Sequence, residues 1–310
     1  MPYVQVPAIS RAKLMDSAEA RWQQVREARP DLEPALALQR HLLGHVLGAA
    51  AVLDGGRLPR LSLPPKYVAA KLARGVPALA GEPIPLPVPV LTPTLVQLCD
   101  ALAAGGAGEA AQHIRSAIAD GAMDAGSLLT TSLHRDHGAL RTAAVHRGLS
   151  PDLLWLVAEL AVSPFVHALQ RLLFAGATAD LDAALDTWDR GYCPACGSWP
   201  AVAEVVRGHR TLRCSFCAAG WELTGYACIY CREAGEKFVT AAPNEARKDR
   251  RVEVCSACGG YLKTIDVPDL SPFPLLSISD IETTDLDVAA MEHGYARPQL
   301  KEFERRGTGG

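Results

Sequence analysis

The sequence predicts a multidomain protein of the α plus small β class, with an all-α N-terminal domain followed by tandem rubredoxin-like or zinc-ribbon metal modules. Three observations support this prediction. Apolar residues recur at helical spacing through the first 187 residues, short β-branched segments follow, and eight of the nine cysteines lie between Cys193 and Cys258. With 310 residues, of which 49% are hydrophobic, the chain has room for about two domains and a sizeable core.

The first 187 residues are predicted to be helical. The stretch 31–54 places Leu32, Leu36, Leu43 and Leu47 at helical spacing. The segment 82–94 contains five prolines, which predict an extended connector between helical units. A ligand for a proline-reading module is the alternative, but a plain connector is favoured.

A second helix is predicted to begin at Ser150-Pro151-Asp152, which combines an N-cap hydroxyl, a proline in the first turn and an early carboxylate. Pro164 is expected to break or kink this helix, because proline lacks a backbone N–H. Ser163 is then available to cap another helix, which ends near Gly176.

Beyond Trp188 the pattern changes to brief strands separated by Gly, Pro or Asn. They are predicted over 201–206, 210–213, 236–240, 250–254 and 261–265. These strands are too few and too short to bury a core of their own, so the cysteines are expected to hold this region. The predicted domains are a helical domain (1–187), a first four-cysteine module (188–225), a second (226–267), and an acidic C-terminal segment with a polar tail that frays (268–310).

The eight clustered cysteines form four C-x2-C pairs, which are Cys193 and Cys196, Cys214 and Cys217, Cys228 and Cys231, and Cys255 and Cys258. In order they give C-x2-C-x17-C-x2-C and then C-x2-C-x23-C-x2-C, a spacing typical of four-thiolate metal sites. The simplest grouping joins the first pair with the second and the third with the fourth. A cross-braced grouping, first with third, remains open.

Two mononuclear ions in sites of four sulfur ligands are therefore expected. Zinc and rubredoxin-type iron suit such a site equally well. Iron–sulfur clusters are disfavoured because no third cysteine lies close to any pair, and a thioredoxin-like redox pair is disfavoured because no βαβ pattern surrounds CPAC. Since all four ligands are protein thiolates, no coordination position is open to substrate, and a structural or redox ion is expected rather than a catalytic one.

Other groups are expected to support these sites. Gly197 and Gly259 directly follow a pair and permit the positive φ that closes its turn. Four thiolates around a divalent ion carry a net charge of about −2. Backbone N–H groups and nearby Arg213 or Arg232 are expected to offset it. Cys99, alone in an apolar helical stretch, is predicted to be a small buried hydrophobe.

The remaining polar constellations are weak. His41 and His45 stand four residues apart on a helix, and His134 and His137 flank Asp136, but two ligands do not make a metal site. The sequence contains no P-loop, no G-x-G-x-x-G after a strand and no G-x-S-x-G. We therefore predict no catalytic residues and a protein that is not an enzyme.

Charge and hydropathy restrict the environment and partners. The net charge of −3 and the pI near 6.3 give no basic field for nucleic acid, and the basic run at 247–251 is interpreted as a solvated loop. The N-terminus lacks the pattern of a secretory signal, and Glu159, Pro164 and His167 interrupt the most apolar stretch. A cytoplasmic protein with no stable membrane insertion is expected, and its reducing surroundings favour metal binding over disulfides.

The cysteine motifs, read with their flanking residues, resemble the FdhE family of formate dehydrogenase accessory proteins. The resemblance is carried by GYCPACGSWP, LRCSFCAAGWEL, CIYCREAGE and CSACGGYLK, followed by MEHGYAR at 291–297. It is specific over about residues 190–298 and looser over the helical half. All eight family cysteines are present.

The resemblance implies a cytoplasmic maturation factor with a helical part and tandem rubredoxin-like modules. Its implied partner is the catalytic subunit of a respiratory formate dehydrogenase, bound before export by the twin-arginine route. The resemblance also implies iron in the modules, with zinc the alternative.

Spacing alone leaves three function classes open: a maturation chaperone, a zinc-ribbon protein of the transcription type, and a rubredoxin-like electron carrier. A DNA-binding protein needs a coherent basic face, which this sequence lacks. An electron carrier does not need the large helical part that this sequence has, so the chaperone is favoured. We expect its partner surface around the modules, where the turns would expose Trp199, Phe216, Trp221 and Tyr230 as anchors. The alternative, that these rings fill the thin core, is favoured for Trp221.

Overall fold

Helices fill the N-terminal part of the chain, as predicted. The computed structural model describes residues 3–6, 10–55, 58, 61, 63–176, 178–242 and 248–298. The helices of the N-terminal part are α1 (Arg11–Ala28), α2 (Glu33–Asp54), α3 (Pro65–Ala73), α4 (Val88–Leu102), α5 (Gly108–Ala119), α6 (Ala125–Leu133), α7 (His137–His146), α8 (Pro151–Phe174) and α9 (Ala179–Asp186). Two further helices follow near the C-terminus, α10 (Leu276–Glu282) and α11 (Thr284–Glu292).

The strands form one seven-stranded sheet in the order β1-β4-β3-β2-β7-β6-β5. They are β1 (Tyr3–Val4), β2 (Pro200–Val206), β3 (His209–Cys214), β4 (Gly220–Trp221), β5 (Phe238–Ala241), β6 (Arg250–Cys255) and β7 (Gly260–Asp266). The five predicted strands correspond to β2, β3, β5, β6 and β7. The two-residue strands β1 and β4 were not predicted.

The chain forms two compact units, each built from separate stretches. One comprises Met1–Arg21, Leu63–Ala80 and Leu173–Gly310, and the other comprises Trp22–Ser62 and Gly81–Leu172. We call the first the sheet unit, because it contains all seven strands, and the second the helical unit. The predicted domain boundaries at 187, 225 and 267 stay predictions.

The helical unit buries most of the apolar face predicted over 31–54, but Leu32 lies in a short 3-10 turn before α2 and is half-buried. In α2, Leu36, Leu43 and Leu47 are buried, and α4 packs against α2, α5 and α6. Cys99 on α4 is fully buried, as expected for a small hydrophobe. Burial and the adjacent Asp100 raise the pKa of its thiol to about 12.

Prolines interrupt this unit less than predicted. Helix α8 continues through Pro164 to Phe174, so the predicted break into two helices is wrong, and the alternative of a kink stays a prediction. Pro164 cannot donate to the carbonyl of Leu160, but the hydroxyl of Ser163 donates to it at 3.1 Å instead of capping a new helix. The proline-rich connector is extended only to Pro87, since α4 begins at Val88 and accommodates Pro89 in its first turn.

Six of the seven strands form two three-stranded antiparallel ribbons with the same strand order, and β1 pairs antiparallel with β4 at the edge of the sheet. One is β4-β3-β2 and the other is β7-β6-β5, and β2 pairs in parallel with β7 to join them. The parallel pairing of β2 with β7 makes the two ribbons one continuous sheet, and the role of the cysteines in holding this region stays a prediction. Val202, Leu212, Leu262 and Ile265 are buried along this sheet.

Helices α10 and α11 pack on the sheet, and each contributes one aspartate that pairs with Lys263 and Arg297. Lys263 of β7, fully buried, lies 2.8 Å from a carboxylate oxygen of Asp280 and 2.6 Å from one of Asp287. Arg297, in the predicted MEHGYAR motif, lies 2.9 and 2.8 Å from the same two carboxylates. The motif therefore ties the end of the described chain to the sheet. The tail FERRGTGG lies outside the described residues.

Within the part of the chain that the structure describes, three helical stretches are long and apolar enough to cross a membrane by length and composition alone. They are Pro30–Asp54, Val88–Ala119 and Pro151–Phe174. The interruptions noted in the last of them do not bring its mean hydropathy below that of a spanning helix. The absence of membrane insertion stays a prediction.

Candidate metal centres

The structure brings the eight clustered cysteines together in two sets of four. The first set is Cys193, Cys196, Cys214 and Cys217, and the second is Cys228, Cys231, Cys255 and Cys258. Within each set all four Sγ atoms lie within 4.8 Å of one another. The grouping is the sequential one, first pair with second and third with fourth, and not the cross-braced alternative. Over the described residues, no other group of three or more possible ligands converges in this way.

The distances between sulfur atoms fit a tetrahedral ion. In the first set they are 3.6 Å for Cys193 and Cys217 and 3.4 Å for Cys196 and Cys214. In the second set they are 3.7 Å for Cys228 and Cys258 and 3.6 Å for Cys231 and Cys255. Metal–sulfur bonds of about 2.3 Å in a tetrahedron separate the sulfurs by about 3.8 Å, whereas a disulfide joins them at about 2.0 Å. Each set can therefore hold one ion, and this geometry suits iron and zinc alike.

Each pair of cysteines sits on a turn of the same design. The first cysteine of the pair accepts, at its backbone carbonyl, a hydrogen bond from the N–H four residues later. The donors are Gly197, Ala218, Arg232 and Gly259, at N–O distances of 2.9, 3.1, 2.9 and 2.8 Å. All four donors have positive φ, between 56 and 82°. The positive φ at Gly197 and Gly259 confirms the prediction made for these two glycines.

Two of these turns use a residue other than glycine. Ala218 has φ 56° and Arg232 has φ 65°. Side chains with a Cβ rarely adopt this conformation, at a cost of about 1–2 kcal/mol. The residue type therefore does not predict a positive φ at either position. The repeated C-x2-C spacing is the only indication, since equal spacing implies equal turns.

The two sets differ in burial. All four cysteines of the first set are buried. In the second set Cys228 and Cys255 are buried, Cys258 is half-buried and Cys231 is exposed. The first set is thus enclosed by protein, while one ligand of the second set faces solvent.

Burial and mutual hydrogen bonding control the thiols of the first set. Burial raises the pKa of Cys193 and of Cys217 well above the ordinary value. Burial also opposes ionisation of Cys196, but hydrogen bonds with the neighbouring thiols hold its pKa well below that value. The N–H groups of Phe216 and Cys217 both donate to Sγ of Cys214 at 3.4 Å. A bound cation would reverse the effect of burial, because a coordinated thiol loses its proton.

In the second set, which is more exposed to solvent, burial and hydrogen bonding again act on the thiol pKa values in opposite directions. Burial raises the pKa of Cys258 to about 11 and raises that of Cys228 further. Burial acts against ionisation of Cys255 too, yet backbone hydrogen bonds from Cys258 and Ala257 lower its pKa. Backbone donors of the turns therefore supply the stabilisation of thiolate that the sequence predicts.

The predicted cations contribute less directly. Arg213 is fully buried beside the first set and forms an ion pair with Glu204, also fully buried. Its Nη2 donates to the carbonyl of Ser271 at 2.7 Å and to that of Ala218 at 3.2 Å. Burial lowers the pKa of Arg213, against the attraction of Glu204 and of Cys214 and Cys217. Arg232 lies exposed on its turn.

The aromatic residues expected to form an exposed interface do not do so as a group. Phe216 and Trp221 are buried, and the indole N–H of Trp221 donates to the carbonyl of Arg190 at 3.1 Å. Trp199 and Tyr230 are half-buried, and their rings meet edge to face with centroids 4.9 Å apart. The prediction of an exposed anchor is therefore wrong for Phe216, and Trp199 and Tyr230 are only partly exposed, whereas the core position favoured for Trp221 is confirmed. The rings of Phe216 and Trp221 pack in the interior of the first module. The contact between Trp199 and Tyr230 joins the first module to the second.

The weak constellations remain unassembled. Nδ1 of His41 lies 2.9 Å from the carbonyl oxygen of Ala37, one turn back on its own helix. Asp136 caps α7 by accepting a hydrogen bond from the N–H of Ala139 at 2.8 Å. Part of the basic run, including Arg247, lies outside the described residues.

Comparison with known proteins gives matches to FdhE proteins. The chain is 26% identical over 171 residues to the "Protein FdhE homolog" of Aquifex aeolicus, covering 51% of this chain and 55% of that protein. It is 31% identical over 124 residues to the "Protein FdhE" of an Escherichia coli strain, covering 39% and 40%. It is 31% identical over 145 residues to the homolog from Stutzerimonas stutzeri, covering 44% and 47%. The chain thus spans about half the length of the curated relatives it matches. No family model matches it.

A solved structure is similar in fold to nearly the whole of this chain. The crystal structure of the FdhE protein from Pseudomonas aeruginosa superposes with a TM-score of 0.59 at 22% identity, covering 96% of this chain and 97% of that chain. The structural match shows a shared fold. Together with the sequence matches, it confirms the resemblance to the FdhE family.

Proposed function

We propose, because this chain is related to the FdhE proteins, that it is a maturation factor for a respiratory formate dehydrogenase. The observation that carries the proposal is the pair of four-cysteine sets in a fold shared with an FdhE protein. In each set every ligand is a protein thiolate, so a bound ion has no free position for substrate. The factor acts in the cytoplasm by binding the catalytic subunit, and has no catalytic activity of its own.

We also propose that both sets bind metal, with Cys193, Cys196, Cys214 and Cys217 as ligands of one ion and Cys228, Cys231, Cys255 and Cys258 as ligands of the other. The sulfur–sulfur distances of 3.4–3.7 Å support this assignment. The resemblance favours iron, with zinc as the alternative. Coordinated ions would compensate the buried thiolates and link the strands that carry them.

The binding of the partner is tested by capture of the purified catalytic subunit of formate dehydrogenase on the immobilised chain. The comparison variant replaces all four cysteines of the second set with serine. The control variant is Val145→Ser, since Val145 is 63% exposed in the helical unit. We expect the native chain and the control to retain the subunit and the cysteine variant to lose it.

Two results would decide against parts of this proposal. Undiminished capture by the cysteine variant would place the partner surface away from the second set. No capture by the native chain, together with normal formate oxidation in a host strain lacking this chain, would remove the accessory role itself.

A further inference from the structure

The two four-cysteine sets are built alike but covered differently. We call Cys193, Cys196, Cys214 and Cys217 the first site, and Cys228, Cys231, Cys255 and Cys258 the second site. Every ligand of the first site is buried, whereas Cys231 of the second is exposed and Cys258 is half-buried. The turns that carry the ligands match in hydrogen bonding, so the difference comes from what lies over them.

A separate segment of the sheet unit covers the first site. The N–H of Ala78 donates to the carbonyl of Pro194 at 2.8 Å, and the N–H of Leu79 donates to that of Ala195 at 2.9 Å. Pro194 and Ala195 are the two residues between Cys193 and Cys196, and both are buried. This segment holds the first turn of the site in place with backbone hydrogen bonds.

The last turn of each site differs by one side chain. In the first site the residues between the cysteines are Ser215 and Phe216, and Phe216 is 1% exposed. In the second site they are Ser256 and Ala257, and both are exposed. A methyl group thus stands where the first site has a phenyl ring. Arg232, directly after Cys231, is exposed as well.

From this difference we infer that the second site exchanges its ion with ligands in solution, through Cys231, while the first site retains its ion. The inference rests on the proposal that both sites bind metal. The molecules in solution that would take the ion are soft donors, such as a thiolate, which compete with the cysteines for it. In the exchange step the bond from Sγ of Cys231 to the ion would break first, with its electron pair left on sulfur, and the incoming donor would bind the ion in its place. Release would be complete once the other three sulfurs had been displaced in the same way, and no electron is transferred.

The physical basis is access to the coordination shell. An incoming donor reaches a metal–sulfur bond only where sulfur meets solvent, or where the protein opens. At the second site Sγ of Cys231 belongs to an exposed residue, so no opening is needed. At the first site the segment carrying Ala78 and Leu79 must separate from the turn, which breaks two backbone hydrogen bonds.

The test measures zinc release from the full chain loaded with zinc, after excess of a chromogenic chelator is added. We expect two phases of one equivalent each, the faster at least about tenfold faster, the ratio that a barrier difference of about 1.4 kcal/mol produces. Brief treatment with iodoacetamide followed by mass spectrometry should label Cys231 before any cysteine of the first site. Release of both ions at one rate, or first labelling at Cys193, Cys196, Cys214 or Cys217, would overturn the inference.

A substitution at the exposed turn assigns the fast phase. Ala257→Phe places the ring of the first site on the second, and should slow the fast phase by about tenfold or more. Ala257→Ser is the matched control, because it keeps the position small, and should leave the rate unchanged. A fast phase that Ala257→Phe leaves unchanged would overturn the assignment. Fewer than two zinc ions bound at the start would instead contradict the proposal that both sites bind metal.

Discussion

Gly191 lies where the two metal modules touch, and its missing side chain makes that contact possible. A Cβ at this position would lie 1.9 Å from the carbonyl oxygen of Ile229, which belongs to the backbone of the second site's first turn. No rearrangement of a flexible side chain relieves such a clash. The glycine two residues before Cys193 is therefore required by a contact with a residue almost forty positions later.

We expect Gly191→Ala to destabilise the chain by more than the 1–3 kcal/mol or so typical of an overpacked core, because backbone must move. Denaturant unfolding of the zinc-loaded protein measures the change. Gly176→Ala is the control, since a Cβ there meets nothing within 4 Å. Equal stability of the two variants would contradict this account.

The thiol of Cys99 is expected to be unreactive toward alkylating reagents in the folded chain. Burial, assisted by Asp100, raises the pKa of its thiol to about 12, so the reactive thiolate is scarce at any lower pH. Iodoacetamide at pH 9 should leave Cys99 unmodified in the native protein and modify it after denaturation, as read by mass spectrometry. Modification of Cys99 in the native protein at the rate found in denaturant would contradict its burial.

Individual residues were predictable from the sequence where a local rule applies. The cysteines follow from their spacing, and the positive φ at Gly197 and Gly259 follows from glycine itself. The positive φ at Ala218 and Arg232 did not, because other residues adopt it only when the surrounding turn imposes it. Gly191 was not singled out either, since its partner Ile229 is brought near by tertiary structure.

At the scale of elements, a buried ion pair joins β2 and β3 beneath the first site. Glu204 and Arg213 are both fully buried, and Glu204 also accepts a hydrogen bond from the N–H of Ser271 at 3.0 Å. Removing one partner leaves an uncompensated charge in the interior. Replacing both with apolar residues of similar size removes that penalty.

We expect Glu204→Ala to cost about 3–5 kcal/mol of unfolding free energy, the usual effect of isolating a buried charge. The double variant Glu204→Leu with Arg213→Met should recover only part of this loss, because it removes the isolated charge but also removes the hydrogen bonds to the backbone of Ser271 and Ala218. Asp31→Ala is the surface control, because Asp31 is 61% exposed in its pair with Arg29 and such pairs contribute little. Denaturant unfolding with zinc in excess measures all three. A loss no larger than that of the control would contradict the structural role of the pair.

The strands show what a pattern can predict about elements. Five strands were located because β-branched residues and turn signals mark them, and the hairpin turn between β2 and β3 uses Arg207 and Gly208, both at positive φ. Strands β1 and β4, of two residues each, are too short to show alternation. The break expected at Pro164 did not occur, because Ser163 satisfies the carbonyl that proline leaves without a donor.

At the scale of the whole molecule, metal and helices stabilise different units. Both four-cysteine sets lie in the sheet unit, whereas the helical unit has a core of leucines from α2 and α4. The assembly of the sheet unit from three separated stretches was not predictable, because helical periodicity does not distinguish which helix joins which core. Helix α3 packs against α9 in the sheet unit, although both were assigned to the helical domain.

Removal of metal should therefore unfold one unit before the other. When a chelator strips the full chain, we expect β2, β3, β6 and β7 to lose protection against hydrogen exchange, while α2 and α4 keep theirs. Hydrogen exchange followed by mass spectrometry resolves these segments. Unchanged protection of the strands after complete metal removal would show that the ions do not hold the sheet.

The metal content of the chain, purified anaerobically and analysed for iron and zinc together, directly tests whether the two metal centres exist. We expect two ions per chain in the native protein, and one ion in a variant with all four cysteines of either set replaced by serine, because each set forms a closed four-sulfur site. One ion or none in the native protein would contradict the two metal centres on which the proposed function depends.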